Sequence, residues 1–324
     1  MVQTTDLNLD IPQTNSASWT GESIGILTIA GFFIVAPAFI YPVFLMKAIC
    51  FALFACAFNL LFGYIGLLSF GHAMFFGWSS YVCAYTIKAW GFTPELAILA
   101  GTSLAALLGF LAGTIAIRRQ GIYFAMITLA IAQMMYFAAL QAPFTGGEDG
   151  IQSVAPGRLF GVFDLEDPTN SYVFVLTVFL LCLGMMHRVI HSPFGEVLRA
   201  IKENETRALS LGYKTNRYKL IAFVLSASFA GMAGAVKAIV FHLASLADVH
   251  WSTSGEVVLM TIVGGIGTMF GPVLGAFVMV GMESYLAEYG QWVTMIQGCV
   301  FVVCVMAFRR GLVGELGRAW RMWR

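Results

Sequence analysis

The chain is a succession of apolar runs, most of them long enough to cross a bilayer. A helical crossing needs about 20 mainly apolar residues to cover about 30 Å of hydrocarbon. Such runs occupy 23–46, 48–68, 96–117, 122–141, 172–186, 220–242, 270–286 and 292–308. Lipid offers the backbone no hydrogen-bond partner, so segments of this kind must be helical. Composition agrees: 59% of the 324 residues are hydrophobic and only 11% are charged. A soluble domain carries roughly a quarter charged residues. The expected fold is all-α, a polytopic transmembrane helical bundle of roughly 8–10 spans.

Two further stretches fit less well. Residues 71–90 are apolar but rich in Gly, Ser and Tyr, and 256–267 is too short to cross alone as a straight helix. Both are expected to be glycine-broken or re-entrant segments, which survive at membrane depth only where protein or a watery cavity shields them.

Charge sets the orientation, because Lys and Arg stay on the cytoplasmic side. Residues 188–219 carry seven of them, the C-terminal end carries Arg309, Arg310, Arg318, Arg321 and Arg324, and Arg118–Arg119 form a tight pair. All three regions are placed inside. The connection 142–170 holds one basic residue, Arg158, against Glu148, Asp149, Asp164, Glu166 and Asp167, and is placed outside. If 71–90 does not cross, this arithmetic also puts the N-terminus outside. The first 22 residues are polar and lack Lys and Arg, unlike the positive start of a secretory signal. The expected division is a polar lead (1–22), a transmembrane domain (23–310) and a basic cytoplasmic tail (311–324).

Two stretches share the form G-x-I-G followed by Phe-Gly: 63–71, with Gly63, Gly66, Ser69 and Gly71, and 264–271, with Gly264, Gly265, Gly267 and Gly271. Glycine-interrupted segments at corresponding places in two halves point to a transport path, and the topology above makes this repeat inverted. His72, Pro272 and Glu256 adjoin these motifs. Gly267, Gly271 and Gly275 recur every fourth residue, which would stack them on one helix face as a groove for another helix. Packing and path lining both stand open for this set.

Residues 192–212 read as a short amphipathic cytoplasmic helix. Ser192 suits the N-cap, Pro193 the first position and Gly212 the end. Leu198, Ile201, Ala208 and Leu209 form an apolar stripe broken by Glu205, with Arg199, Lys202, Glu203 and Arg207 on the polar positions. The stripe needs a partner: the membrane surface, a soluble subunit or this chain itself.

The stretch SPFGEVLRAIKENETRALSLGYKTNRYKL resembles the cytoplasmic loop of branched-chain amino acid ABC transporter permeases of the LivM type. GYIGLLSFGHAMFFGWSSY (63–81), RRQGIYFAMITLA (118–130) with TGGEDGI (145–151), and SGEVVLMTIVGGIGTMFGPVLGA (254–276) resemble three more of that family's segments, in order. The resemblance implies a permease subunit paired with a second, LivH-type permease. It also implies two cytoplasmic ATPases and a periplasmic solute-binding protein, in the bacterial inner membrane. It implies a coupling helix that sits in a groove of the ATPase, with Ser192, Pro193, Gly195, Leu198, Arg199, Ile201, Asn204, Glu205, Arg207, Ala208 and Gly212. Lys237, in a helix where an apolar or aromatic residue is expected, departs from the pattern.

No G-x4-G-K-[ST] occurs, so the chain is expected to need no cofactor, any ATP being bound by partner subunits. No HExxH or GxSxG is present, so an enzyme is not expected. The six cysteines lie in apolar runs and read as small packing residues. His187 and His191 sit at i,i+4 spacing but read as interfacial polar residues. Lys237 and Glu283 lie within apolar segments and are candidates to pair with each other or with the partner permease. Glu256 reads as a helix cap or a substrate contact. The leading expectation is a permease subunit of an ATP-driven importer for branched-chain or other amino acids or similar small polar solutes. The alternative is a secondary transporter or channel for a small solute such as urea, with Glu283 as its coupling carboxylate.

Overall fold

In the computed structural model the described residues are 25, 28, 31–155, 157–159, 161, 163–287, 290, 292–307 and 311–312. The expected lead 1–22 and the tail beyond 312 lie outside them. The chain divides into two compact units, Met1–Phe39 and Ile40–Arg324. The described part of the first is a helix closing in a 3-10 turn at Ala36–Ala38.

The second unit is helical almost throughout. In chain order its helices are α1 (Pro42–Ile65), α2 (His72–Trp90), α3 (Pro94–Ala116), α4 (Ile122–Gln141), α5 (Pro168–Ile190), α6 (Pro193–Glu203), α7 (Glu205–Ser210), α8 (Thr215–Phe241), α9 (Trp251–Gly264), α10 (Gly271–Tyr285) and α11 (Trp292–Ala307). Five of these, α1, α3, α4, α5 and α8, are long and apolar enough to cross a membrane. The polytopic helical bundle expected from the sequence is therefore what the chain forms.

Proline and glycine place the boundaries. Pro42 opens α1 after an extended Tyr41, because its ring removes a backbone donor and biases the preceding residue away from helix. The division expected near residue 47 accordingly falls at 36–41. α1 closes at Gly66, whose φ of 83° is a left-handed conformation that only glycine adopts without strain.

α1, α2 and α8 form the packed centre. Phe54 stacks on Phe76 with ring centroids 4.5 Å apart. A Cβ at Gly234 would run into the Phe76 carbonyl, so α8 and α2 touch backbone to backbone. Gly101 brings α3 equally close to Ser79, and Gly109 brings α3 against Ala227 of α8. The outer helices keep apolar side chains exposed: Leu99 and Leu107 on α3, Met126 and Met134 on α4, Leu181 and Met185 on α5. That is the surface expected of helices facing hydrocarbon rather than water.

One end of the bundle is closed by the connection 142–167. Its strand β1 (Ile151–Gln152) pairs antiparallel with β4 (Leu243–Ala244), joining Ile151 to Ala244, while β2 (Arg158–Leu159) pairs with β3 (Phe163–Asp164). His242 holds a left-handed φ of 53° there, fixed by Val154 N–H donating to its carbonyl at 3.1 Å and by its Nδ1 lying 2.8 Å from the Val154 carbonyl. Ile151, Val154 and Leu165 are buried beneath this cover. α6 and α7 occupy the opposite end, called here the loop end.

Three expectations need correction. Residues 71–90 are not a broken or re-entrant segment: α2 is one unbroken helix. It starts beside the loop-end turn 66–71 and reaches the far end, where Lys88 Nζ donates to Gln152 O at 2.9 Å. The Arg118–Arg119 pair still lies at the loop end, since the adjacent Gln120 bonds Glu205. Both hold because α1 arrives at the loop end, not the far one.

Residues 256–267 are broken at glycine, as expected: α9 begins at Trp251, covers about 21 Å at 1.5 Å per residue, short of a full crossing, and ends at Gly264 in the turn of Gly265 and Gly267 at the loop end.

The two glycine motifs are not an inverted pair. Both turns lie at the loop end, so close that a Cβ on Gly63 would stand 2.8 Å from the Gly267 nitrogen. Gly267, with φ 74°, is part of that turn, so it shares no helix face with Gly271 and Gly275.

The cytoplasmic helix is two helices, not one. Asn204, extended at φ −158° and ψ 98°, divides α6 from α7.

Candidate functional site

The loop end gathers most of the residues singled out in the sequence. Ser192 caps α6 by accepting from Gly195 N–H at 3.4 Å, and Pro193 takes the first position. Gly195 packs against the Ile190 carbonyl, where a Cβ would collide. Leu198, Ile201 and Ala208 are buried, so the apolar stripe finds its partner in its own chain. Leu209, Leu211 and Tyr213 remain exposed. Arg199 pairs with Glu196 at 3.2 Å and stands over the Tyr64 ring. Asn204 caps α7, its Oδ1 accepting from Arg207 N–H at 3.0 Å. Gly212, at φ 88°, ends the turn after α7 by donating to the Leu209 carbonyl at 2.9 Å.

Glu205, which interrupts the stripe in sequence, is the centre of a polar cluster. Its Oε1 lies 2.6 Å from Lys219 Nζ at the head of α8 and accepts from Thr215 Oγ1 at 3.2 Å. Its Oε2 accepts from Gln120 Nε2, between α3 and α4, at 2.7 Å. Lys219 is 3% exposed, and a charge so buried is tolerated only with a partner.

The second contact is made by Lys202 of α6. Its Nζ donates to the Gly63 carbonyl at 2.5 Å. That carbonyl belongs to the last turn of α1, where carbonyls lack helical partners and the helix dipole favours a cation. Asn59, one turn earlier, is 2% exposed. Its Nδ2 donates to the Thr268 carbonyl at 2.8 Å, and its Oδ1 accepts from Gly267 N–H at 3.0 Å. The end of α1 and the α9–α10 turn are therefore one hydrogen-bonded body. A groove of about 250 Å³ lies between the two contacts, walled by Gly66, Gln120, Ile201 and Lys202.

The remaining residues sit elsewhere. Ser69 is buried and accepts from Gly71 N–H at 3.2 Å. Gly71 lies against the Thr128 carbonyl. His72 is fully buried among Phe58, Phe75 and Phe223. Its Nε2 meets Ser226 Oγ at 2.8 Å, and that hydroxyl donates to the Ala57 carbonyl at 2.6 Å. His72 thus locks α1, α2 and α8 together. Ser254 of α9 caps α2 by accepting from Ala73 N–H at 2.8 Å. Gly264 and Gly275 let α9 and α10 touch, with Gly275 against the Met260 carbonyl. Gly265 and Gly267 form the turn, and Gly271 with Pro272 opens α10.

Glu256 does not cap its helix: His250 does, accepting from Ser252 N–H at 3.3 Å. Glu256 instead shares an electrostatic neighbourhood with Glu283, Lys47, Lys237 and Asp248. Lys237 and Glu283 do not pair with each other. Lys237 binds Asp248 and lies over the rings of Phe51 and Phe76, while Glu283 binds Lys47 at 2.9 Å. Glu283 is also two residues from the end of α10 and half exposed, not deep in a span. Among the described residues no group of three or more His, Cys, Asp or Glu is placed to hold a metal. The cysteines are free, and Cys50, Cys56, Cys83 and Cys182 are buried.

Asn59, Lys219 and Gln120 are not among the site residues expected from the sequence, and Lys202 stands there only on a polar position of the loop helix. Asn59 had a usable signal, a lone amide inside an apolar run, and buried amides require partners. The others were ordinary polar residues until folding brought them together.

Residues 41–307 match the family described as branched-chain amino acid transport system / permease component. The chain belongs to that family. It is 28% identical over 283 residues to the LivM permease protein of the high-affinity branched-chain amino acid transport system of Escherichia coli K12, over 79% of this chain and 65% of that one. It is 24% identical to the corresponding BraD protein of Pseudomonas aeruginosa, over 83% of this chain and 92% of that one. The chain thus spans just under two-thirds of the LivM length. A solved structure described as an inward-facing conformation of a putative metal-chelate type ABC transporter superposes with a TM-score of 0.46. It shares 16% identity, over 89% of this chain and 97% of that one. Family membership and five apolar helices of spanning length make this permease-family chain a multi-pass protein of the bacterial inner membrane.

Proposed function

We propose that the chain is the transmembrane permease subunit of an ATP-driven importer that moves branched-chain or related amino acids inward. It works beside a second, LivH-type permease, with two cytoplasmic ATPases and a periplasmic solute-binding protein. It catalyses no reaction itself; ATP is bound by the ATPases, and this chain converts their movement into alternating access. The observation that carries the reading is the α6–α7 pair. It has the capping and amphipathicity of a soluble helix hairpin, its buried side chains lock it to the bundle, and Leu209, Leu211 and Tyr213 stay exposed for a partner. Exposed apolar side chains on a charged loop mark a docking surface. Glu283, paired with Lys47 near a helix end, does not favour the ion-coupled alternative.

The test is to purify the chain with the ATPases encoded beside it and to crosslink through Thr206→Cys, an exposed position on α7. Crosslinking to the ATPase and ATP-dependent leucine uptake in proteoliposomes are expected. Uptake that persists without ATP, with no crosslink formed, would overturn the proposal.

A further inference from the structure

Besides its buried apolar side chains, the loop has polar ties to the bundle on both sides of its break. Lys202 on α6 reaches the Gly63 carbonyl of α1. Glu205 on α7 reaches Lys219 of α8 and Gln120 of the α3–α4 turn. Between them Asn204 is extended, so α6 and α7 are separate rigid pieces joined by one non-helical residue. The fastened parts differ in kind. Lys202 holds the end of α1, which Asn59 bonds to the α9–α10 turn through Gly267 and Thr268. Contact between the Gly63 and Gly267 backbones leaves no room for one to slide past the other. Whatever pulls on Lys202 therefore moves α1 and the α9–α10 turn together. Whatever pulls on Glu205 moves α8 and the α3–α4 turn.

We propose that Lys202 is a positioning residue for transport: it ties α6 to the joined ends of α1 and the α9–α10 turn, and thereby passes movement of the loop to those ends. This rests on the importer reading and adds to it the residue through which the loop acts. The chemistry suits the task. An ammonium on a helix-terminal carbonyl is a charge-assisted bond that needs no complementary side chain, only free carbonyls at a helix end. The lysine stem lies along Gly66, where a Cβ would meet its Cγ at 3.4 Å. Lys202 is itself exposed, so its loss removes the tie without opening a cavity.

The experiment uses the assembled transporter with its second permease and ATPases. Spin labels are placed at Glu203→Cys on α6 and Ile266→Cys in the α9–α10 turn, both exposed. Their separation is read by pulsed electron paramagnetic resonance without nucleotide and with ATP trapped by vanadate. With Lys202 present, the pair is expected to keep one narrow distance in both states. In Lys202→Met the distance should widen and shift with nucleotide by on the order of 5 Å, one helical turn. Lys202→Arg, which keeps a charged donor, should restore the narrow distance. If Lys202 only caps α1, Lys202→Met lowers the melting temperature and leaves the distance unchanged in both states; that result overturns the tie and leaves the importer reading standing. If the labelled chain binds no ATPase, the importer reading fails and the tie falls with it.

Discussion

Glu205 and Lys219 form an ion pair 2.6 Å long, with the lysine 3% and the glutamate 19% exposed. The pair joins the loop to the longest helix of the bundle, and its geometry makes a sharp demand on sequence. Glu205→Gln would keep the shape and leave the Lys219 charge buried without its counter-charge, at a cost of about 3–5 kcal/mol. A large fall in the melting temperature of the detergent-purified protein is expected. Most of it should return in the double variant Glu205→Gln with Lys219→Met, because that pair removes the orphaned charge. A double variant as unstable as the single one would show that the pair is not the source.

Asn59→Leu keeps side-chain volume and deletes both bonds to the α9–α10 turn. Each buried group left without a partner costs about 1–3 kcal/mol. Hydrogen exchange at the Gly267 amide should accelerate sharply, while amides in the middle of α3 keep their protection. Unchanged exchange at Gly267 would mean that the turn is held by something else.

Gly275 and Gly184 are both helical glycines, and they should respond to alanine in opposite ways. A Cβ at Gly275 would collide with the Met260 carbonyl, so Gly275→Ala must push α9 and α10 apart. A loss of about 1–3 kcal/mol is expected for such overpacking. Gly184, in α5, has nothing within 4 Å of the added atom. Gly184→Ala should be neutral or stabilise by up to about 1 kcal/mol, through helix propensity alone. Comparing the two melting temperatures checks both claims at once.

Lys237 and Asp248 are 16% and 6% exposed at the side chain. Lys237→Met strands a buried carboxylate, and Asp248→Asn strands a buried ammonium. Each single variant should cost several kcal/mol, on the scale of about 3–5 for breaking a buried pair. The double variant should be markedly less destabilised than the sum of the two. Strict additivity in that cycle, measured by thermal unfolding, would show that the two residues do not interact.

Much of the architecture was legible from the chain alone, and for a plain reason. Crossing a bilayer imposes a length, a composition and a helical backbone, so the sequence places α4 to the residue and α3 nearly so, while the polar or charged ends of α5 and α8 extend beyond the apolar runs 172–186 and 220–242. Charge bias gathered Arg118, Arg119 and the 188–219 loop at one end, and the structure places them together. Ser192, Pro193 and Gly212 marked the boundaries of the loop helices through local capping chemistry, which needs no tertiary context. Asn204 did not announce the break between α6 and α7, since an asparagine inside an amphipathic pattern serves as readily in a helix as between two.

What tertiary structure decided is which ends meet. The glycine motifs 63–71 and 264–271 were visible as a repeat, yet their relative placement depends on whether 71–90 crosses. Because α2 runs unbroken from the loop end to the far end, α1 arrives at the loop end, the reverse of the direction that a re-entrant 71–90 implies. Pairing was equally hidden: Lys237 took Asp248 and Glu283 took Lys47, because ionic partners are chosen by distance in the packed bundle and not along the chain. Hydropathy, glycine and capping residues determine what each segment becomes. Only packing decides that Lys202, Gly63, Asn59 and Gly267 share one corner, because each reaches it from a different helix or turn.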